Sequence, residues 1–298
     1  MTYTRPAFRQ ALLGSLACLA VTSAHATEGG SGMYPNGVES FAMAAVPPPG
    51  AYYLGYAFHD SADELRDNDG HKIPVDFKLR ASGLTSRFVW VTPWQLLGGQ
   101  VVLHTLVPLV DLDVGVAGHS DSRRGLGDIT VGAGLGYHAS ATTHYVIAVD
   151  TFLPTGAYDK NRLANLGRNY IDVEPVFGVS YVQPSGINAD LKLMYDFNGL
   201  NKDTSYRSGQ ELHGDFALGW SFGNGWTAGA GGYAYQQTTQ DKQYDQAVAD
   251  SRGRAMALGP MVKFDGGHWF VAAKYEKEFE VRNRPQGSQW VLKAVMPF

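Results

Sequence analysis

The chain of 298 residues has a single cysteine, Cys18. Cys18 falls in an N-terminal segment that reads as a cleaved signal, so the mature protein has no disulfide, thiolate metal ligand or cysteine nucleophile. Charge is scarce: Asp, Glu, Lys and Arg make up 17% of residues, against roughly 25% in soluble domains. A formal charge of −4 offers no basic face for nucleic acid. Beyond the N-terminal segment, no stretch reaches the roughly 18 apolar residues of a membrane helix. The sequence also lacks a P-loop, a nucleophile elbow and an HExxH motif. Hydrophobic residues at 44% exclude a disordered chain. The 36 glycines and 16 tyrosines point instead to strands and turns.

Arg5 and Arg9 precede an eleven-residue apolar run, Ala11 to Val21, and Ala24-His25-Ala26 is a small-x-small cleavage site. This pattern is a secretory signal peptide spanning 1–26, too short for a membrane span. A lipoprotein signal modified at Cys18 is the alternative, but Ser15-Leu16-Ala17 fits it poorly and the apolar run continues past Cys18. Cleavage after Ala26 leaves 272 residues with a charge of −6, because Arg5 and Arg9 are removed and no acid is.

In Ile187 to Asn198, Ile187, Ala189, Leu191, Leu193, Tyr195 and Phe197 share one parity. Asn188, Asp190, Lys192, Met194, Asp196 and Asn198 share the other. That is the period of a strand; a helix would spread these charges around its circumference. Similar alternation marks 170–182, 211–222, 269–280 and the C-terminal segment. Twelve strands are predicted, near 51–59, 76–91, 99–114, 126–138, 142–153, 170–182, 187–198, 209–222, 226–239, 253–264, 268–281 and 288–298. Parity slips near Ser82-Gly83 and Pro108 predict bulges.

Links at one end are mostly tight, as at Ala139-Ser140-Ala141 and Gly223-Asn224-Gly225, while those at the other are mostly long and polar. Short turns alternating with long loops over an even strand count predict an all-β, up-and-down antiparallel outer-membrane barrel over 51–298, both termini periplasmic. Trp90, Trp94, Tyr137, Tyr181, Phe222, Trp226, Phe264, Trp269 and Phe298 fall near the short-turn ends, as an interfacial girdle would. A secreted β-sandwich or lipocalin-like barrel would show the same alternation with its apolar face buried. Loop asymmetry, aromatic placement and the terminal Phe298 favour the membrane barrel of a Gram-negative bacterium. Its expected partners are outer-membrane lipid, lipopolysaccharide and, through Phe298, the barrel assembly machinery.

Residues 27–50 form a Gly- and Pro-rich leader, either a plug in the lumen or a periplasmic tail. Tyr34-Pro35-Asn36-Gly37, Pro47-Pro48-Pro49-Gly50 and Arg124-Gly125-Leu126-Gly127-Asp128-Ile129 resemble the outer-membrane proteins of the phenol meta-degradation pathway, over essentially the whole mature chain. This resemblance implies a transporter for small hydrophobic or aromatic compounds and carries over no functional residues.

Twelve strands leave a narrow lumen, between the filled eight-stranded barrel and the sixteen-stranded channel. The candidate lumen-lining residues are Asp150, Asp172, Glu174, Asp190, Lys192, Asp196, His213, Asp215, Lys274, Glu276 and Lys293, with Asp128, Glu211, Glu278 and Arg87 beside them. Charges facing across a lumen set ion preference or bind polar substrate groups, or simply satisfy one another. Met194 and Met261 are apolar spots on the same face, suited to passing an aromatic ring.

Enzyme and metal chemistry have weak support. His138-Ala139-Ser140 has an in-face Ser/His spacing but sits at a turn with no orienting partner. His213 and Asp215 share a face within the wall. Asp67-Asn68-Asp69-Gly70 resembles only part of a calcium loop, and the nine histidines show no ligand spacing. The expectation is a non-enzymatic channel without cofactor or metal, for passive or gated diffusion of small hydrophobic or aromatic compounds. The alternatives are a sealed structural or adhesin-like barrel and a hydrophilic porin.

Overall fold

A computed structural model describes residues 28, 30 and 32–298. The expected signal peptide lies outside the described residues. The elements are all strands: β1 (Gly50–Leu65), β2 (Phe77–Leu96), β3 (Gly99–Val116), β4 (His119–Leu126), β5 (Ile129–His138), β6 (Thr143–Leu153), β7 (Asp172–Tyr181), β8 (Ser185–Asn198), β9 (Tyr206–Arg207), β10 (Glu211–Phe222), β11 (Trp226–Gln237), β12 (Lys242–Gln243), β13 (Gln246–Ala247), β14 (Arg254–Asp265), β15 (Phe270–Arg282) and β16 (Pro285–Pro297). Every neighbouring pair in the wall is antiparallel, and β1 closes the cylinder by pairing with both β2 and β16. Because β4 and β5 lie end to end along β3, the wall is a closed barrel of twelve strands.

The wall carries its polarity reversed relative to a soluble protein. Leu193, Phe197, Leu212, Leu218 and Trp220 are exposed, while Asp190, Lys192, Asp196, Glu211 and Asp215 on the opposite parity are buried. A soluble sandwich must bury its apolar face. An apolar exterior around a polar interior is the arrangement of a barrel in lipid. Aromatic pairs such as Trp90–Trp94, Trp226–Phe264 and Phe264–Trp269, with ring centroids 5.3, 4.9 and 5.8 Å apart, gather near the short turns.

Several expected boundaries shift. The link 115–125 is a hairpin in which β3 runs to Val116 and turns at Ala117-Gly118 into β4. The β1 strand extends to Leu65, and β2 to Leu96 after an irregularity between Val91 and Gln95. No bulge forms at Ser82-Gly83, where the register with β1 and β3 is continuous. Gly83 answers a close approach instead: a Cβ there would lie 2.3 Å from the Leu109 carbonyl oxygen. At Pro108 the pairing with β2 also continues, and the interruption falls on the other side. Pro108 has no N–H to donate, and the facing chain breaks at Gly127-Asp128, between β4 and β5.

The long loops carry a three-stranded sheet of β13, β12 and β9. At the opposite end, the Phe298 amide donates to the Ala51 carbonyl at 3.1 Å.

Candidate functional site

The leader runs through the barrel from end to end. Glu28 lies among the long loops: its amide donates to Ser208 Oγ at 3.2 Å, and its carboxylate accepts from Tyr158 at 3.1 Å and Asn201 at 2.8 Å. Val46 packs beside Tyr52, Leu54 and the buried cluster of Val89, Val91 and Val102, towards the short turns. Glu28 therefore lies at the long-loop end of the barrel, where the periplasmic N-terminus expected from the sequence would not place it.

Tyr34-Pro35-Asn36-Gly37 wraps around Asp215. The Val38 amide donates to the Pro35 carbonyl at 3.3 Å, closing a turn whose third residue, Gly37, has φ +82°. That conformation favours glycine. A Cβ on Gly37 would also lie 1.7 Å from Glu276 Oε1. The turn aims the Gly37 and Glu39 amides at Asp215, at 2.8 and 3.1 Å, while Tyr34 Oη donates to the same carboxylate at 2.9 Å. Above the Tyr34 ring, Lys192 Nζ sits 4.4 Å from the centroid.

Glu39 forms the next anchor. Lys293 Nζ donates to its Oε2 at 2.5 Å, Tyr56 Oη and Arg87 Nη1 approach its Oε1 at 3.2 and 3.3 Å, and Lys274 Nζ donates to its backbone carbonyl at 3.0 Å. Further along, Asp190 accepts from the Met43 amide at 3.0 Å and from Ser180, which also receives the Ala44 amide at 2.8 Å. Lys274 pairs with Glu276 at 3.0 Å.

All eleven candidate lumen residues are buried. Asp190, Lys192, Asp215, Lys274 and Lys293 meet the leader. Asp150 pairs with His104 at 2.9 Å. Asp172, Glu174, Asp196 and His213 gather separately on β7, β8 and β10. Met194 and Met261 do face inward, but they are covered: Met194 packs with Tyr34 and Val38, and Met261 with Phe41. Asp128 is taken up by the loop end of the barrel. It lies between β4 and β5 and accepts the Gly156 and Arg168 amides at 2.8 and 2.7 Å, anchoring the loop 154–171.

The three weak chemical motifs resolve differently. His138 Nδ1 approaches His144 Nδ1 at 2.7 Å rather than Ser140, whose Oγ accepts the Thr142 and Thr143 amides. His213 faces Asp196 and Glu174, whereas Asp215 serves the leader. Asp67 Oδ1 accepts the Asp69 and His71 amides, giving a self-bonded turn.

Beside the leader remains a cavity of about 130 Å³. Val89, Val102 and Val146 form its apolar side, and Arg87, Lys192 and Lys293 bring positive charge to it. The leader lines it with Glu39, Ala42, Met43, Ala45, Val46 and Pro47. Sequence reasoning missed the aliphatic half of this cavity, because inward-facing valines look like lapses in a polar parity.

At the loop end, two aspartates fix the cap. Asp241 accepts from the Gly209 amide and Gln237 Nε2, each at 2.6 Å, and from Tyr206 Oη. Burial pushes its carboxyl up to about 7. Asp121 receives Arg162 through Nε at 3.1 Å and Nη2 at 2.5 Å, and the Arg162 hydrogen bonds hold its carboxyl well below the usual carboxylate range.

The family profile described as "Putative MetA-pathway of phenol degradation" matches residues 62–294. The chain belongs to this family. The match begins within β1, so the leader motifs lie outside it, and it is narrower than the whole mature chain expected from them. Among solved structures, an outer membrane channel from Pseudomonas putida F1 is 21% identical and superposes with a TM-score of 0.75, covering 88% of this chain and 100% of that one. It shows the fold, a closed antiparallel β-barrel of the outer-membrane kind. The toluene transporter TodX from Pseudomonas putida reaches a TM-score of 0.41 at 10% identity, over 91% of this chain and 96% of its own. The translocator domain of the autotransporter NalP from Neisseria meningitidis reaches 0.47 at 11%, over 86% and 91%. At such scores neither carries an argument about function. No curated protein sequence matches the chain.

Proposed function

We propose that this protein is a gated outer-membrane channel for small hydrophobic or aromatic compounds, taken one ring at a time. The supporting observation is the cavity of about 130 Å³ beside the leader, with aliphatic walls on one side and, on the other, three cations, Arg87, Lys192 and Lys293, facing two carboxylates, Glu39 and Asp150. An apolar cavity of about 150 Å³ is known to hold a benzene molecule. The charged side suits a phenolate or an aromatic carboxylate, which needs desolvation of its ring and a cation for its oxygen. The family's association with phenol degradation agrees with this substrate class.

In this reading the leader is a plug held by polar contacts to Asp215, Asp190 and the Glu39 cluster. Solute enters between the long loops, rests in the cavity and leaves past Val46 when that part of the leader shifts. Transport is diffusive and involves no catalytic group or cofactor. The terminal Phe298 would be read by the barrel assembly machinery, and the long loops would face lipopolysaccharide.

Flux into proteoliposomes tests the reading, with empty vesicles measuring the leak through lipid. Phenol- and toluate-like aromatics should enter faster than the leak, and sugars of matched size should not. Flux of sugars would show a hydrophilic porin. Absence of any flux would show a sealed barrel acting through its loops.

A further inference from the structure

The inward faces of β7, β8 and β10 bring Glu174, Asp196 and His213 together. His213 Nε2 lies 3.1 Å from Asp196 Oδ2 and 3.4 Å from Glu174 Oε2. One donor atom from each residue falls within 4.8 Å of the other two. Two ligand atoms each about 2.0–2.2 Å from a tetrahedral ion are about 3.4 Å apart. These separations therefore suit ligands around a single ion.

Hydrogen bonding points the same way. Asp172 and Glu174 are 0% exposed, yet none of their four carboxylate oxygens has a hydrogen-bond partner. His213 Nδ1 has none either, and Nε2 has only the two carboxylate approaches, neither with good hydrogen-bond geometry. The charged neighbours of Asp172 are Glu174, Glu211, Asp196 and His213, so it faces the same cluster. Buried polar atoms are normally satisfied, and carboxylates outnumber the one imidazole here.

We propose that this cluster binds one divalent transition-metal ion, ligated by His213 Nε2 and by carboxylate oxygens of Asp196 and Glu174, with Asp172 beside it. An imidazole among carboxylates suits Zn²⁺ or its first-row neighbours better than Ca²⁺ or Mg²⁺, which take oxygen ligands alone. The ion would join three strands directly behind the leader, because the Tyr34 ring lies 5.2 Å from that of His213. Its role is to brace the wall on which the leader rests. The site depends on the fold and not on the transport reading.

The test uses untagged protein from outer membranes, stripped by a chelator and reloaded with Co²⁺. One equivalent of Co²⁺ per chain should bind, with a visible absorption band that Zn²⁺ competes away. His213→Gln and the near-isosteric Asp196→Asn should each lose that equivalent while the barrel stays heat-modifiable on gels. The double variant His138→Ala, His144→Ala should keep it, because that pair sits apart at a short turn. Failure of the wild-type protein to bind would overturn the proposal. So would binding that survives both cluster substitutions, or binding lost only in the His138/His144 variant, which would mark an adventitious surface site.

Discussion

Glu39 of the leader and Lys293 of β16 meet at 2.5 Å inside the barrel, both buried. Each is a charge largely removed from bulk solvent, so each is tolerable because of the opposite charge that faces it. The contact joins a segment without regular structure to the barrel wall. Lys293→Met should then strand the Glu39 carboxylate with only Arg87 and Tyr56, at a cost on the order of 3 kcal/mol. A thermal melt in detergent would show the loss. The double variant with Glu39→Gln should recover part of it.

Deleting residues 32–46 removes a segment held mainly by side chains that the wall would otherwise leave unpaired. The barrel itself closes by backbone pairing that excludes the leader. Single-channel conductance should therefore rise well above wild type while the protein still inserts. Unchanged conductance would mean that the leader does not limit passage.

Much of this was legible in the sequence. The period-two pattern of 187–198 foretold which of its residues face inward, and the apolar exterior then excluded the soluble sandwich. Turn chemistry at Gly223-Asn224-Gly225 placed a hairpin correctly. The hairpin at Ala117-Gly118 was hidden, because β4 is polar on both faces and reads as loop: His119-Ser120-Asp121-Ser122-Arg123-Arg124. The path of the leader was also hidden. Its motif was visible as Tyr34-Pro35-Asn36-Gly37, but its partner Asp215 is 178 residues from Gly37 and is found only through the register. The Glu174, Asp196 and His213 cluster was missed for a similar reason, since ligands from three strands leave no spacing to read.

The loop cap should respond to pH through Asp241. Its carboxyl is raised to about 7 in the folded protein from an ordinary value of 3.8. A raised acid favours the folded cap while protonated, so that contribution is complete below the ordinary value and is lost as pH rises through about 7. Hydrogen exchange of residues 205–209 and 241–251, corrected for intrinsic rates, should show protection falling between about pH 4 and 7 and levelling off above that. Asp241→Asn should flatten that dependence.

Arg87 offers a test of selectivity. Arg87→Gln removes a cation from the cavity and leaves its aliphatic side intact. Flux of aromatic carboxylates should drop by about tenfold, the size of one charge-assisted hydrogen bond. Flux of a neutral ring should change little. Equal losses for both would place the substitution's effect on folding or on the leader.

The most direct measurement is aromatic flux through the wild-type protein set against a variant whose cavity is filled, Val89→Trp, with both confirmed as folded. Val89 lines the cavity and is buried. Passage through that cavity predicts aromatic uptake above the empty-vesicle leak in the wild type and its collapse towards the leak in the variant. Uptake that is identical in the two proteins, or never above the leak, would contradict it.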